Sequence, residues 1–305
     1  MAGNSRVQRH SHSGLRLKEQ ETMGVRSVTS IRRVGALYAL LAWAQVSAAQ
    51  GPDPVSLLDD MQRALIPAAA QFTRVQISMH SDQPGGGSSL WDALVVRQRS
   101  ASGPRSAISM VSPANIKGSA MLTAPKPDSQ ALGLWLYSPD EQRARTFSPL
   151  EADRRFLSTD FSFEDIAMTT RSTKPPVLLG SELHEQRLFW KVEAQPDLDR
   201  YYSRMVTWIA DDTRLPLKRE YYDRGGKLWK VVKYREQRID DIPTIVAIEL
   251  RDVQSRDLSL WQVKAVAYAH DKFDARVLSP AGLGALQTQA FWQQLRATSG
   301  RSESD

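Results

Sequence analysis

Two periods divide this chain. Over residues 52–65, Val55, Leu58, Met61, Ala64 and Leu65 recur three and four places apart, the spacing of one helix face. Asp53 stands where a cap belongs, Pro54 suits the first turn, and Pro67 with a run of small residues ends the segment. Beyond it the period drops to two. Residues 73–80 alternate with Val75, Ile77 and Met79 on one face, and 90–98, 105–112, 116–123, 134–137 and 144–147 continue in the same way. A helical turn is predicted over 164–168. After Val177 the chain reads as a strand-rich meander, with strands at 188–194, 202–210, 216–222, 228–237, 242–252 and 259–269. Turn chemistry separates them: Gly85-Gly86-Gly87-Ser88-Ser89, Pro196-Asp197, Asp211-Asp212 and Asp223-Arg224-Gly225-Gly226. A short segment at 278–286 and a terminal helix at 288–296 close the pattern.

Strands in succession without long helices between them pair antiparallel, not as βαβ units. Ten or so strands in one domain cannot remain flat and open, so the sheet must curl. Its concave face needs a cover, and the 53–65 helix and the 150–168 segment are available. The expected fold class is α+β: a strongly curved antiparallel sheet, an open half-barrel, with helices and a loop/helix lid over the concave face. No repeats and no linker divide it.

The first 49 residues stand apart from this pattern. Arg32-Arg33, an apolar run over 34–46 and Ser47-Ala48-Ala49 have the layout of a cleaved signal peptide, with Met23 a plausible start in place of Met1. The apolar run is shorter than the roughly 20 residues of a spanning helix. The expected division is thus a leader over 1–49, one domain over 50–297 and a polar, disordered tail over 298–305. Charge follows the same division: the chain is +6 overall, but six Arg and one Lys against two Glu put +5 of this in the leader. The high pI therefore does not indicate nucleic acid, which asks for a clustered basic face. There is no cysteine, hence no disulfide, thiolate site or lipidated anchor, and the expected product is a soluble periplasmic protein.

Little here suggests catalysis. His80, His184 and His270 are widely spaced, no G-x-S-x-G elbow occurs, and Asp160, Glu164 and Asp165 are explained by capping. We expect no cofactor and no metal site. Aromatics are abundant: Trp91, Trp135, Trp190, Trp208, Trp229, Trp261 and Trp292. Several strands are apolar on both faces, as where Trp208 opposes Ile209 and Trp229 opposes Leu228, which suggests an apolar cavity. Its expected lining is Trp135, Tyr137, Phe147, Phe156, Phe161, Phe163, Met168, Trp208, Tyr221 and Trp229. Arg154, Arg155, Asp160 and Glu164 are read as polar groups of the lid and of a headgroup contact, or as ordinary loop ion pairs.

One run carries a more specific signal. Trp135-Leu136-Tyr137 with Pro139, then Arg154-Arg155, then Asp160-Phe161-Ser162-Phe163-Glu164-Asp165, resembles the signature of the outer membrane lipoprotein-sorting family, relatives of LolA, LolB and LppX. Lys117-Gly118-Ser119-Ala120-Met121-Leu122, Trp208-Ile209-Ala210-Asp211, Leu215 to Asp223 and Gly226-Lys227-Leu228 match further family runs in order, from about residue 70 to 285. The chain departs from the family wording at Phe156-Leu157-Ser158-Thr159. The resemblance implies a soluble periplasmic carrier or chaperone holding a lipid or lipoprotein acyl chain and moving it toward the outer membrane. An acylated lipoprotein or lipid would be the cargo, with an inner-membrane exporter of RND type and an outer-membrane acceptor as partners, and a monomeric state. The alternative is a periplasmic sensor of RseB-like type that binds a signalling protein, or an accessory protein of an RND-type exporter.

Overall fold

The computed structural model describes residues 51–126, 132–147, 154–168, 174–196, 202–269, 274–288, 292 and 295. The leader and tail, Asp153, His270 and most of the expected 288–296 helix lie outside the described residues, although Trp292 and Leu295 are helical. Helix α1 spans Pro54–Leu65. Asp53 caps it, its carboxylate accepting from the Ser56 amide at 2.9 Å.

Among the described residues thirteen strands follow. The first six are β1 (Ala70–His80), β2 (Ser88–Ser100), β3 (Gly103–Ser112), β4 (Ala120–Pro125), β5 (Leu132–Ser138) and β6 (Arg143–Phe147). After helix α2 (Phe163–Ala167) come β7 (Val177–His184), β8 (Arg187–Ala194), β9 (Tyr202–Ala210) and β10 (Pro216–Asp223), then β11 (Leu228–Ile239), β12 (Ile242–Asp252) and β13 (Leu258–Ala269). Strand β7 was not among the expected ones. Its residues are mostly exposed on both faces, so no alternating pattern advertises it. The strand expected over 116–123 begins later, at Ala120, because a 3₁₀ turn occupies Ala114–Ile116.

All thirteen strands lie in one sheet, in the order β6-β5-β4-β3-β2-β1-β13-β12-β11-β10-β9-β8-β7. The sheet is thus two meanders joined where β13 returns to pair with β1, from Ala70↔Ala269 to His80↔Leu258. Strands β6 and β7 are its two edges and do not pair with each other. The result is the open, curved half-barrel expected of so long a twisted sheet. The chain leaves one edge and reaches the other through the segment that holds α2, which places that segment over the inner face.

Period two assigns residues to faces. Inward lie Trp91, Ile77, Trp261 and Ile248, which form one cross-strand row through the registers Ile77↔Trp91, Ile77↔Trp261 and Ile248↔Trp261. Leu57, Met61 and Leu65 of α1 and Phe156, Phe161, Ile166 and Met168 of the crossing segment share their cluster. Outward, Phe72, Leu94, Val96, Leu122 and Ala124 form a second cluster, covered by 3₁₀ turns at Ala275–Leu278 and Leu283–Thr288 and by Trp292. Trp292 meets Phe72 edge-on at 6.0 Å.

This two-sided burial corrects part of the site expected from sequence. Trp135 packs against the outer cluster, and Tyr137 does so while also bordering the inner cavity described below. The Trp135 indole lies over Gly133, and the Tyr137 ring abuts Gly284, where an added Cβ would come within 2.8 Å of its hydroxyl. Trp208 also faces outward, with Phe189, Val206 and Ala210. Its ring lies under the Lys218 ammonium, 3.9 Å from the centroid, and its indole N–H donates to Glu182 at 3.0 Å. Strands apolar on both faces therefore mark two packed layers and a patch roofed by lysine and arginine stems. The C-terminal turns that cover the outer layer fall in the short segment expected over 278–286 and just before it.

Candidate functional site

The segment crossing the inner face is a compact lid over residues 154–168. An antiparallel bridge joins Arg155 to Ser162, and the Phe156 amide donates to the Phe161 carbonyl at 2.6 Å. Ser162 then caps α2 in a reciprocal capping box with Asp165. The helix ends at Met168 in the left-handed region, φ 53°. These local signals make a rigid unit of a stretch too short for a stable helix of its own.

Polar bonds tie this unit to the sheet through the core. The Asp160 side chain is buried. Its amide donates to Ser259 Oγ at 2.9 Å, and the Ser259 hydroxyl donates back to the carboxylate at 3.0 Å. The buried Lys230 ammonium donates to the Asp160 carbonyl at 2.6 Å. Tyr221 donates to Asp165 at 2.6 Å, and Arg219 donates to Tyr221 and to Thr207. From the other side, Gln62 of α1 donates to the Met168 carbonyl at 2.9 Å. Burial raises the Asp160 carboxyl above its usual range, against the opposing pull of Arg155, Ser259 and Lys230. Burial also lowers the Lys230 ammonium and raises the Tyr221 phenol.

The sign for Asp160 follows from linkage. A carboxyl whose folded pKa is raised contributes stability below the unfolded value of 3.8 and loses it as pH climbs through the folded value. The neutral isostere Asp160→Asn lacks this term. We expect the stability of the parent relative to D160N to fall as pH rises from about 3.8 through the folded value. Urea melts of both proteins from pH 3 to pH 7 test this. A difference that grows with pH would show that Arg155 and Lys230 outweigh burial.

Between the lid and the β3–β6 end of the sheet lies a cavity of about 470 Å3. Ile108, Met110, Met121 and Leu136 form its floor, and Phe156, Leu157 and Phe163 its roof. Phe147 closes one side, 5.0 Å from Phe163, which in turn meets Phe156 at 5.6 Å. The polar groups on its wall are concentrated at the β5–β6 turn, where Glu141, Arg143 and Arg145 stand. An apolar volume of this size with a few polar groups at one end suits a small-molecule ligand, for which roughly 300–1,000 Å3 is usual.

Of the residues expected to line a cavity, Phe147, Phe156 and Phe163 do so, and Tyr137 contributes to the wall from the strand whose outer face its ring occupies. Phe161 instead plugs the core beneath the lid, edge-on to Trp261 at 6.5 Å. Tyr221 serves the lid anchor. Trp229 packs beside the inner core, its indole N–H donating to Asp252 at 2.9 Å. Met168 borders a small polar recess with Gln71, Arg97 and Thr244. Among the lid polar groups, Asp160 and Glu164 are buried, and Glu164 accepts from Tyr202 at 3.5 Å. Arg155 reaches back to Asp160 at 3.3 Å, so this pair fastens the lid. Arg154 is exposed.

Sequence reading missed the floor of the cavity and the Arg143–Arg145 mouth. The signal was parity: Leu134 and Leu136 alternate with Trp135 and Tyr137, and the aliphatic set faces in. It also missed Arg97, which lies on the inner face of β2, 5.7 Å from the Trp261 ring centroid. Burial lowers its pKa to about 10, so it stays charged at neutral pH. Among the described residues no cluster of His, Asp or Glu could hold a metal ion, and no helix is long and apolar enough to cross a membrane.

This fold is shared with solved structures. An outer membrane lipoprotein-sorting protein domain from Vibrio parahaemolyticus superposes with a TM-score of 0.62 at 18% identity, over 75% of this chain and 97% of that one. A DUF1329 family protein from Desulfovibrio piger gives a TM-score of 0.62 at 22% identity, over 76% and 100%. A LolA superfamily protein from Nitrosomonas europaea gives 0.57 at 20% identity, over 75% and 98%. No curated protein matches the sequence. A family profile described as "Uncharacterized protein" matches residues 103–283, more than half of the chain and every strand from β3 to β13. The chain belongs to that family, and its domain has the LolA-type half-barrel fold of the lipoprotein-sorting proteins.

Proposed function

We propose that this protein is a periplasmic carrier that holds an acyl chain of a lipid or lipoprotein in the cavity beneath its lid. The observation that carries this reading is the apolar cavity of about 470 Å3 between the lid and strands β3–β6. Its walls are mostly aliphatic and aromatic, so the chemistry they support best is partition. Burial of alkyl surface, at roughly 25 cal/mol per Å2, would hold the chain. Release would follow when the lid moves as a unit away from the cavity. The layout of residues 1–49 supports export and cleavage before Gln50. The single domain over 50–297 would then act as a monomer between a donor and an acceptor membrane.

Native mass spectrometry tests this on protein exported to a periplasm and purified without detergent, followed by organic extraction. The expected result is a stoichiometric adduct that dissociates as a lipid or acyl species. A clean apo mass that stays unchanged on adding lipids would overturn the carrier reading.

A further inference from the structure

The mouth of the cavity has a definite polarity. Strand β6 is an edge strand whose inward residues, by the register Leu136↔Arg145 and Leu134↔Phe147, are Arg143, Arg145 and Phe147. Along one strand, over ~13 Å at ~3.3 Å per residue, the cavity wall runs from two guanidiniums at the turn to a phenyl ring under the lid. The two arginines converge on a single carboxylate: Glu141 Oε2 lies 3.1 Å from Arg143 Nε and 2.6 Å from Arg145 Nη2. Glu141 therefore occupies the position that a ligand anion would take. Exposed ion pairs of this kind are individually weak, so exchange for another anion costs little. With two arginines against one glutamate the mouth is net positive.

Size limits the other end. At roughly 30 Å3 per water-sized group, the cavity of about 470 Å3 takes about 16 such groups, enough for one dodecyl chain and fewer than two would need.

We propose that the cavity selects a single-chain anionic amphiphile, with its carboxylate or phosphate between Arg143 and Arg145 and its chain beneath Phe147, Phe156 and Phe163. This rests on the carrier reading above and narrows it to one ligand class. Guanidinium forks match both head groups in two-point geometry.

Calorimetric titration of the purified protein with ligands of one chain length tests the assignment. The probes are dodecanoate, dodecyl phosphate, dodecyl maltoside and dodecyltrimethylammonium, with didodecanoyl phosphatidate vesicles as the two-chain case. Both anionic probes are expected to bind at least tenfold more tightly than the neutral and cationic ones, and whichever is tighter tells carboxylate from phosphate. In R143Q/R145Q that preference is expected to vanish while dodecyl maltoside binding persists. In E141Q anion binding is expected to strengthen. Equal affinity for all four probes, or a preference that survives R143Q/R145Q, overturns the head-group assignment and leaves the cavity standing. Extraction of phosphatidate as readily as dodecyl phosphate overturns the single-chain limit. Failure of every probe to bind overturns the carrier reading itself.

Discussion

Replacing Trp261 by alanine is expected to destabilise the domain by about 3–5 kcal/mol, the usual cost of deleting a large buried aromatic. Trp261 is 2% exposed and is among the largest fully buried side chains among the described residues. It sits on β13, the strand that closes the two meanders together, between Ile77 on β1 and Ile248 on β12. Phe161 of the lid packs on it edge-on, and the Arg97 guanidinium lies 5.7 Å from its ring. Its loss would leave a cavity under the lid and strip Arg97 of its aromatic neighbour. For a domain of this size the melting temperature should drop by about 10 °C, at roughly 2–4 °C per kcal/mol, as thermal denaturation followed by circular dichroism would record. A drop of a degree or two would mean that the lid and sheet relax into the space, and that the join between meanders does not depend on this row.

The second large effect is on binding. Leu136→Asp puts a carboxylate into the floor of the cavity, opposite the roof residues Phe156, Leu157 and Phe163. An alkyl chain would then have to lie against an ionised group stripped of water, a costly arrangement. Affinity for an acyl ligand is expected to fall at least tenfold, about 1.4 kcal/mol, measured by displacement of a fluorescent fatty acid. Leu183→Asp is the control, since Leu183 is 72% exposed on the edge strand β7 and far in sheet order from the cavity. Leu136→Ala, which enlarges the floor without charge, should fold and still bind. Retained binding in L136D with a native circular dichroism spectrum would place the ligand elsewhere.

These expectations rest on residues that differ in how openly the sequence displays them. Helix α1 was legible because Asp53, Pro54 and the helical spacing agree, although the face it buries is Leu57, Met61 and Leu65 and the expected Val55 is exposed. Strands β9 and β12 were legible to the residue: β12 alternates along its length, and β9 is a continuous buried run ended by the Asp211-Asp212 turn. Strand β7 was not, since an exposed edge strand imposes no pattern on its side chains. The crossing segment was legible from Phe156, Phe161 and Phe163 and from the helical turn expected over 164–168, which forms as Phe163–Ala167. In each of these cases the deciding interaction is local, and a window of ten residues contains it.

Which face of each strand turns inward is a different kind of fact. Trp135 and Leu136 are neighbours in sequence with equal claim to a cavity, and only the join of β13 to β1 with the lid above it puts Leu136 inside. Trp208 fails as a cavity residue because Lys191 and Lys218, on the flanking strands, shelter its ring outside. The convergence of Arg143 and Arg145 on Glu141 depends on the β5–β6 register. The burial of Asp160 depends on Ser259, ninety-nine residues away. By itself, then, the sequence determined the period of α1 and of the partly buried strands, the open antiparallel half-barrel and the segment available as its lid, because hydrophobic spacing and capping act over short range. Only the tertiary structure decided the inward face, the cavity and its charged mouth, because these follow from strand pairings between residues distant in the chain.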